Sequence, residues 1–183
     1  FTDHPEELGQ LVTEGRRKEF GKFSAFQDPA IRQRIPDPQA PETFARSKLR
    51  WEERERMPHA GVLALYRELL LLRQHDPALR RRDRASFAVA AHGEHGLSLR
   101  REGDDGSALL LVVSFDGPLS LFLPSGDDTR PPAGRRWELL LSTEEARFGA
   151  EAEGEVARLT EEGMLELRGT GGVVLRVSGF SRT

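Results

Sequence analysis

Cysteine is absent from the 183-residue sequence. Its absence excludes a disulfide-stabilised scaffold, a thiolate metal site and a cysteine nucleophile. Long hydrophobic runs are also missing, since no apolar stretch approaches the ~20 residues that a membrane-spanning helix needs. Neither sign of charge dominates, because the net charge is −3. The sequence therefore predicts no membrane partner and no nucleic-acid partner.

A leader peptide and the common cofactor motifs are missing as well. No charged and then apolar segment follows Phe1, which together with the lack of cysteine favours a cytoplasmic location. Because the first residue is not Met, we expect a trimmed chain or a piece of a longer one. No phosphate-binding glycine loop is present, and the five histidines never share a metal-ligand spacing on one helix. We therefore predict no metal site.

The first half of the chain is predicted to be helix and loop. Apolar residues at three- and four-residue steps predict a helix over Pro5–Phe20, with Asp3 and Glu6 at the spacing of a capping box. Four prolines between 25 and 41 favour a loop or linker there. A short helix is expected at Glu42–Trp51. The strongest pattern is at His59–His75, whose apolar positions cover more than half of the circumference, so this helix must pack against something large.

After Arg84 the periodicity changes from helical to alternating, and turn residues separate short apolar runs. Short strands at such spacing without helices between them favour an antiparallel sandwich. The predicted strands are 86–91, 97–101, 108–115, 119–123, 137–142, 156–159, 164–168 and 172–177. The fold class is thus α+β by content, with an all-β domain at its end.

No complete catalytic site follows from the residues alone. Phe1, Asp3 and His4 form the best candidate for contacting a sugar, Phe1 by stacking on a pyranose ring and the other two by bonding hydroxyls. The alternative is that Asp3 caps the first helix and His4 is solvated. Trp51 and Trp137 are candidate sugar platforms too, but we expect them to be buried anchors.

The order of the motifs carries a resemblance. The segments that carry it are Phe1-Thr-Asp-His-Pro-Glu-Glu-Leu, Glu14-Gly-Arg-Arg-Lys-Glu-Phe20, Ile35-Pro-Asp-Pro-Gln39, Phe44-Ala-Arg-Ser-Lys-Leu-Arg-Trp51 and Leu65-Tyr-Arg-Glu-Leu-Leu-Leu-Leu-Arg73. Together they resemble the C-terminal part of the maltooligosyltrehalose trehalohydrolase family, which belongs to the alpha-amylase family of glycoside hydrolases. The resemblance covers essentially the whole chain.

The resemblance implies a catalytic (β/α)8 barrel followed by an antiparallel β domain. Residues 1–78 would be the loop after the eighth barrel strand and the last barrel helix, and residues 84–180 the β domain. The implied reaction cleaves the α-1,4 bond next to a terminal trehalosyl unit of maltooligosyl trehalose or a related α-glucan, with retention and without a cofactor. No segment matches the motifs of the family's three carboxylates, so the chain is assigned no catalytic residue and is expected to be inactive alone.

Loops after barrel strands build the active-site face, so this placement would put Phe1, Asp3 and His4 at the substrate cleft. Two alternatives remain open from the sequence. In one, the β domain is a carbohydrate-binding or structural module without catalysis, which needs coplanar exposed aromatic residues. In the other, the chain belongs to another alpha-amylase relative such as a glycogen branching enzyme.

Overall fold

The computed structural model describes residues 1–80, 83–149 and 157–178, with the side chains at 32 and 33 outside the description. Within these ranges the chain forms four α-helices, α1 Glu6–Phe20, α2 Pro29–Gln33, α3 Pro41–Ser47 and α4 His59–His75. It also forms eight strands, β1 Phe87–His92, β2 Gly96–Glu102, β3 Ala108–Ser114, β4 Leu119–Phe122, β5 Trp137–Ser142, β6 Ala157–Leu159, β7 Met164–Leu167 and β8 Gly171–Val177. Mixed helix and antiparallel sheet are therefore confirmed. None of the described helices has the length and apolar character needed to cross a bilayer.

The chain divides into two compact units, Phe1–Trp51 and Glu52–Thr183, called the first and second unit below. The boundary lies ahead of helix α4, whereas the sequence pattern changes after residue 84. The assignment of residues 1–78 to a barrel and of 84–180 to a β domain stays a prediction. Residues 150–156 and 179–180 of those ranges lie outside the described residues. They include Val156, the predicted start of the sixth strand.

The second unit is a two-sheet structure in which neighbouring strands pair antiparallel. The five-stranded sheet has the order β1-β2-β3-β8-β5, and the three-stranded sheet has the order β4-β7-β6. Buried residues of both sheets, such as Leu110 on β3 and Leu165 on β7, belong to one hydrophobic cluster. Because successive side chains of a strand point to opposite faces of the sheet, Leu109 on β3 belongs to a second cluster, which also contains Leu72 of α4. The five-stranded sheet is therefore covered by the three-stranded sheet on one face and by α4 on the other.

The first unit has no hydrophobic core among its described residues. Of the residues whose burial is described, only Gly9 and Pro38 are buried there, while Leu8 and Leu11 on the apolar side of α1 are 47% and 64% exposed. The predicted capping box is wrong, because Pro5 occupies the N-cap position of α1 and no side chain bonds to the cap. The segment predicted as a loop or linker contains the short helix α2, which begins at Pro29, where a proline is tolerated.

Candidate functional site

The opening segment of the first unit is held in place by Gln39. The Thr2 backbone N–H donates to the Pro38 carbonyl at 2.7 Å, and the Gln39 Nε2 donates to the His4 carbonyl at 3.0 Å. The Thr2 hydroxyl also donates to Gln39 Oε1. Since these contacts join groups 35 or more residues apart in sequence, they fix the course of residues 1–4.

Gln39 is fixed in turn by helix α1 and by Asp37. A Cβ placed on Gly9 would lie 2.4 Å from Gln39 Nε2, so the missing side chain of glycine allows the amide to approach the helix. Asp37 Oδ1 accepts hydrogen bonds from the Gln39 N–H and the Thr13 hydroxyl, both at 2.9 Å. The N–H of Gln39, and then the Thr13 hydroxyl, hold the pKa of the Asp37 carboxyl below its usual range.

Phe1 carries the exposed aromatic ring of this segment. Its side chain is 50% exposed, and its ring lies 5.2 Å from that of Phe44 at an angle of 46°. The Lys48 ammonium lies 4.8 Å from the centre of the Phe44 ring. Phe44 therefore braces one side of Phe1, and the exposed part of the ring is available to stack on a ligand.

Asp3 and His4 are both exposed. Within the described part of the chain, no side-chain hydrogen bond or ion pair involves either of them. The structure therefore brings Phe1, Asp3 and His4 together on one anchored segment and leaves the two polar side chains available to a ligand. Their assignment to a substrate cleft stays a prediction.

Comparison with known proteins identifies the relatives of this chain. A malto-oligosyltrehalose trehalohydrolase of Deinococcus radiodurans is 44% identical over 134 residues, which is 73% of this chain and 20% of that protein. The chain is similar to a segment of malto-oligosyltrehalose trehalohydrolases. The resemblance drawn from the sequence motifs is thereby confirmed.

Two further malto-oligosyltrehalose trehalohydrolases show the same likeness. The protein of a Rhizobium species is 50% identical over 127 residues, or 68% of this chain and 20% of its own length. The protein of Arthrobacter ramosus is 53% identical over 78 residues, or 42% of this chain and 13% of its own length. The chain thus spans about a fifth or less of these relatives. No protein-family model matches it.

A solved structure has a related fold. The catalytic module of the glycogen-degrading pneumococcal virulence factor SpuA superposes on this chain with a TM-score of 0.50 and 18% sequence identity. The match covers 73% of this chain and 20% of that chain. At this identity the likeness concerns the fold alone.

The two tryptophans differ in their surroundings. Trp137 is 6% exposed, and its indole N–H donates to the Thr129 carbonyl at 2.7 Å, so the expectation of a buried anchor is confirmed. For Trp51 the expectation is wrong, since its side chain is 66% exposed. The reason is that Trp51 ends the first unit, whose described residues form no core that could receive an indole ring.

Exposed aromatic residues of the second unit do not form a platform. Phe122 lies on β4 in the three-stranded sheet, whereas Phe87 lies on β1 in the five-stranded sheet. Phe87 on β1 pairs with Arg101 on β2, which in turn pairs with Leu109 on β3. Phe115 lies six residues further along the chain than Leu109. Six residues of strand span about 20 Å. Among the described residues the coplanar aromatic group that a carbohydrate-binding β module requires is therefore missing.

Sequence reasoning missed Thr13 and Asp37 as the residues that organise the site. A local signal was present, because Asp37 is followed two residues later by the N–H that its side chain accepts, which is the pattern of an Asx turn. The contact with Thr13 spans 24 residues, and no periodicity in one sequence reveals such a pairing.

Proposed function

We propose that this chain is the C-terminal part of an enzyme that releases trehalose from malto-oligosyl trehalose. The enzyme cleaves the α-1,4 bond next to the trehalosyl end, acts in the cytoplasm without a cofactor, and carries its catalytic carboxylates upstream of this segment. The observation that carries the proposal is the 44–53% identity to proteins named malto-oligosyltrehalose trehalohydrolase.

The missing core of the first unit supports a larger enzyme around it. Folding of a small unit depends on apolar burial, and about 50 residues already bury too little for high stability. The first unit leaves its large apolar side chains in solvent; the exposed ones are Phe1, Leu8, Leu11, Phe23, Ile31, Phe44, Leu49 and Trp51. These side chains suit a long loop that lies on the surface of a catalytic barrel.

Helix α4 supports the same view, because it has two apolar faces. The inner face, with Leu65, Leu69 and Leu72, packs against the five-stranded sheet. The outer stripe, Val62, Tyr66 and Leu70, repeats every four residues and is 49%, 63% and 60% exposed. An outer helix of a (β/α)8 barrel needs an apolar face toward the barrel strands. We assign the outer stripe to that contact and the inner face to the β domain.

The opening segment fits a role at the substrate cleft. Loops after barrel strands form the active-site face, and the contacts of Gln39 hold this segment in one conformation. Phe1 offers a ring to a sugar face, while Asp3 and His4 offer polar groups to hydroxyls. None of the three is assigned to bond cleavage.

The function is tested by assaying the full-length enzyme and the 183-residue chain side by side on malto-oligosyl trehalose. Released trehalose is measured by chromatography. We expect release by the full-length enzyme and none by the chain alone, because a retaining glycosidase needs a pair of carboxyl groups across the scissile bond. Absence of trehalose from the full-length reaction, or hydrolysis by the chain alone, would contradict the proposal.

The cleft assignment has its own test in Asp3→Asn. In the full-length enzyme this change should lower kcat/KM about tenfold, since a charged hydrogen bond to the substrate is lost. Glu7→Gln, which alters an exposed carboxylate four residues further on, is the matched control and should keep the parent kinetics. Parent kinetics for Asp3→Asn would remove Asp3 from the cleft.

A further inference from the structure

A polar groove of about 310 Å³ lies in the first unit between helix α1 and residues 37–39. We call it the α1 groove. The polar side chains that line it are Glu6, Gln10, Thr13, Glu14, Arg17, Asp37 and Gln39. Gln10, Thr13 and Arg17 are spaced three and four residues apart, so they lie on one face of α1. The groove is therefore a feature of a regular helix facing an anchored loop.

Asp37 gives the α1 groove a fixed acceptor. Both of its side-chain hydrogen bonds, from Thr13 and from Gln39, end on Oδ1. Oδ2 accepts none from the described residues. A carboxylate offers about four acceptor sites, so Asp37 is held in place by one oxygen and retains the other for a ligand. Asp37 is ionised at neutral pH, as an ordinary aspartate is, and its two hydrogen bonds lower the pKa of the carboxyl further.

The chemistry of the lining excludes several ligand classes. The three carboxylates Glu6, Glu14 and Asp37 outnumber the single lining cation Arg17, and this disfavours an anionic ligand such as a sugar phosphate. The lining contains no aromatic ring, so an organic cation or a nucleobase lacks a stacking partner. In the described residues no group of three or more His, Asp or Glu side chains is arranged to hold a metal ion.

A neutral polyhydroxylated ligand fits what remains. Each sugar hydroxyl both donates and accepts a hydrogen bond. The groove offers donors on Arg17, acceptors on Glu6, Glu14 and Asp37, and both on Gln10. The volume lies near the lower limit of about 300 Å³ for small-molecule sites, which suits one or two sugar rings rather than a long chain.

We infer that the α1 groove is a binding site for one or two glucosyl units of an α-glucan, formed by residues other than Phe1, Asp3 and His4. The choice of α-glucan among neutral sugars rests on the proposed function. The groove itself rests on the arrangement of Asp37 against helix α1.

The test uses three variants of the full-length enzyme and calorimetric titration with maltotriose. Asp37→Asn keeps an oxygen for Thr13 and Gln39 but replaces the free acceptor with a donor. Gln10→Ala and Arg17→Ala remove groove side chains that make no side-chain hydrogen bond to another described residue, and Arg17→Ala also removes a positive charge that acts on Asp37. Arg16→Ala is the matched control, since Arg16 is also an exposed arginine of α1 but does not line the groove.

We expect Asp37→Asn and Arg17→Ala each to weaken maltotriose binding about tenfold and Gln10→Ala about threefold. Arg16→Ala should keep the parent dissociation constant. Parent affinity in all three groove variants, or equal losses in Arg16→Ala and Arg17→Ala, would overturn the site. The same enzyme is assayed for trehalose release. If trehalose is released normally but the groove variants bind maltotriose like the parent enzyme, the groove assignment is wrong and the proposed function stands. If the groove variants bind maltotriose more weakly but the parent enzyme releases no trehalose, only the proposed function is wrong.

Discussion

At the scale of single residues, the same side chain has different consequences in the two units. The indole of Trp137 lies in the cluster shared by both sheets and satisfies its N–H on Thr129. The indole of Trp51 is largely in solvent. A buried tryptophan stabilises the fold through both the area removed from water and its hydrogen bond. We therefore expect Trp137, and not Trp51, to contribute to stability.

Trp137→Ala should therefore lower the free energy of unfolding of the second unit by about 3–5 kcal/mol. Chemical denaturation of the 183-residue chain, followed by far-UV circular dichroism, measures this change. Trp51→Ala is the control, and its effect should stay within about 0.5 kcal/mol. Similar losses for the two variants would contradict the burial described here.

At the scale of elements, helix α4 and the residues that follow it contact the rest of the second unit at three points. Near its start, a Cβ on Gly61 would lie 2.4 Å from the Phe148 carbonyl. In its middle, Glu68 accepts hydrogen bonds from Arg147 at 2.6 and 3.1 Å. Beyond its end, the buried Asp76 accepts from Ala78 N–H at 3.0 Å and from Arg176 at 2.7 Å. These contacts set the position of the helix on the sheet.

Gly61→Ala should push α4 away from Phe148, since the added methyl meets backbone atoms that cannot rotate aside. We expect a loss of about 1–3 kcal/mol of unfolding free energy. Gly15→Ala is the matched control, because a Cβ on Gly15 of α1 meets nothing within 4 Å. That change should favour helix formation by about 1 kcal/mol. An unchanged melting temperature for Gly61→Ala would contradict the close approach of α4 to Phe148.

The Arg147 contact should depend on pH. Burial raises the pKa of Glu145, but the hydrogen bonds from Arg147 and the Ser142 N–H outweigh it, so the pKa is lowered overall. A carboxyl with a lowered pKa in the folded state stabilises above its unfolded pKa of about 4.3, and this stabilisation is lost as pH falls through the folded value.

Arg147→Ala should therefore cost about 1 kcal/mol or less at pH 7, since the ion pairs are half-exposed. The difference from the parent chain should shrink below about pH 4. Arg168→Ala, at an exposed arginine on the same unit, is the control and should show no such trend. The unfolding free energies are measured by urea denaturation at pH 7 and pH 3. If the difference between Arg147→Ala and the parent chain is the same at both pH values, the ion pairs are contradicted.

The sequence predicted the elements better than their partners. The strands β1–β8 match within one or two residues wherever both limits are described, because alternation and turn residues mark them locally. Helix α4 matches at both ends, where Pro58 and Asp76-Pro77 limit it. Periodicity does not reveal how the apolar surface of α4 divides into an inner and an outer face. It shows that the apolar surface is wide, but not which elements pack against it.

The candidate site was predicted only in part. Phe1, Asp3 and His4 were singled out from residue types at a helix start, but the anchoring by Gln39 and the role of Gly9 depend on tertiary contacts. The expected cap by Asp3 failed because Pro5 separates it from the helix. Side chains that bond across long sequence separations were beyond local pattern analysis.

At the scale of the whole molecule, the two units differ in how complete they are. The second unit buries a core between two sheets and a second one under α4. The first unit exposes most of its apolar side chains, and α4 exposes an outer stripe. Since proteins commonly bury such surfaces against a partner, these side chains favour an additional body of protein, which under the proposed function is the upstream barrel.

The most direct measurement of that claim is the effect of Leu70→Asp in two contexts. In the full-length enzyme we predict a loss of about 3 kcal/mol or more of unfolding free energy, because a carboxylate would be placed in a buried apolar contact. In the 183-residue chain, where Leu70 is 60% exposed, the loss should stay below about 1 kcal/mol, and Arg67→Asp on the exposed polar side should be mild in both. Equal, small effects of Leu70→Asp in the two proteins would show that no barrel covers the stripe.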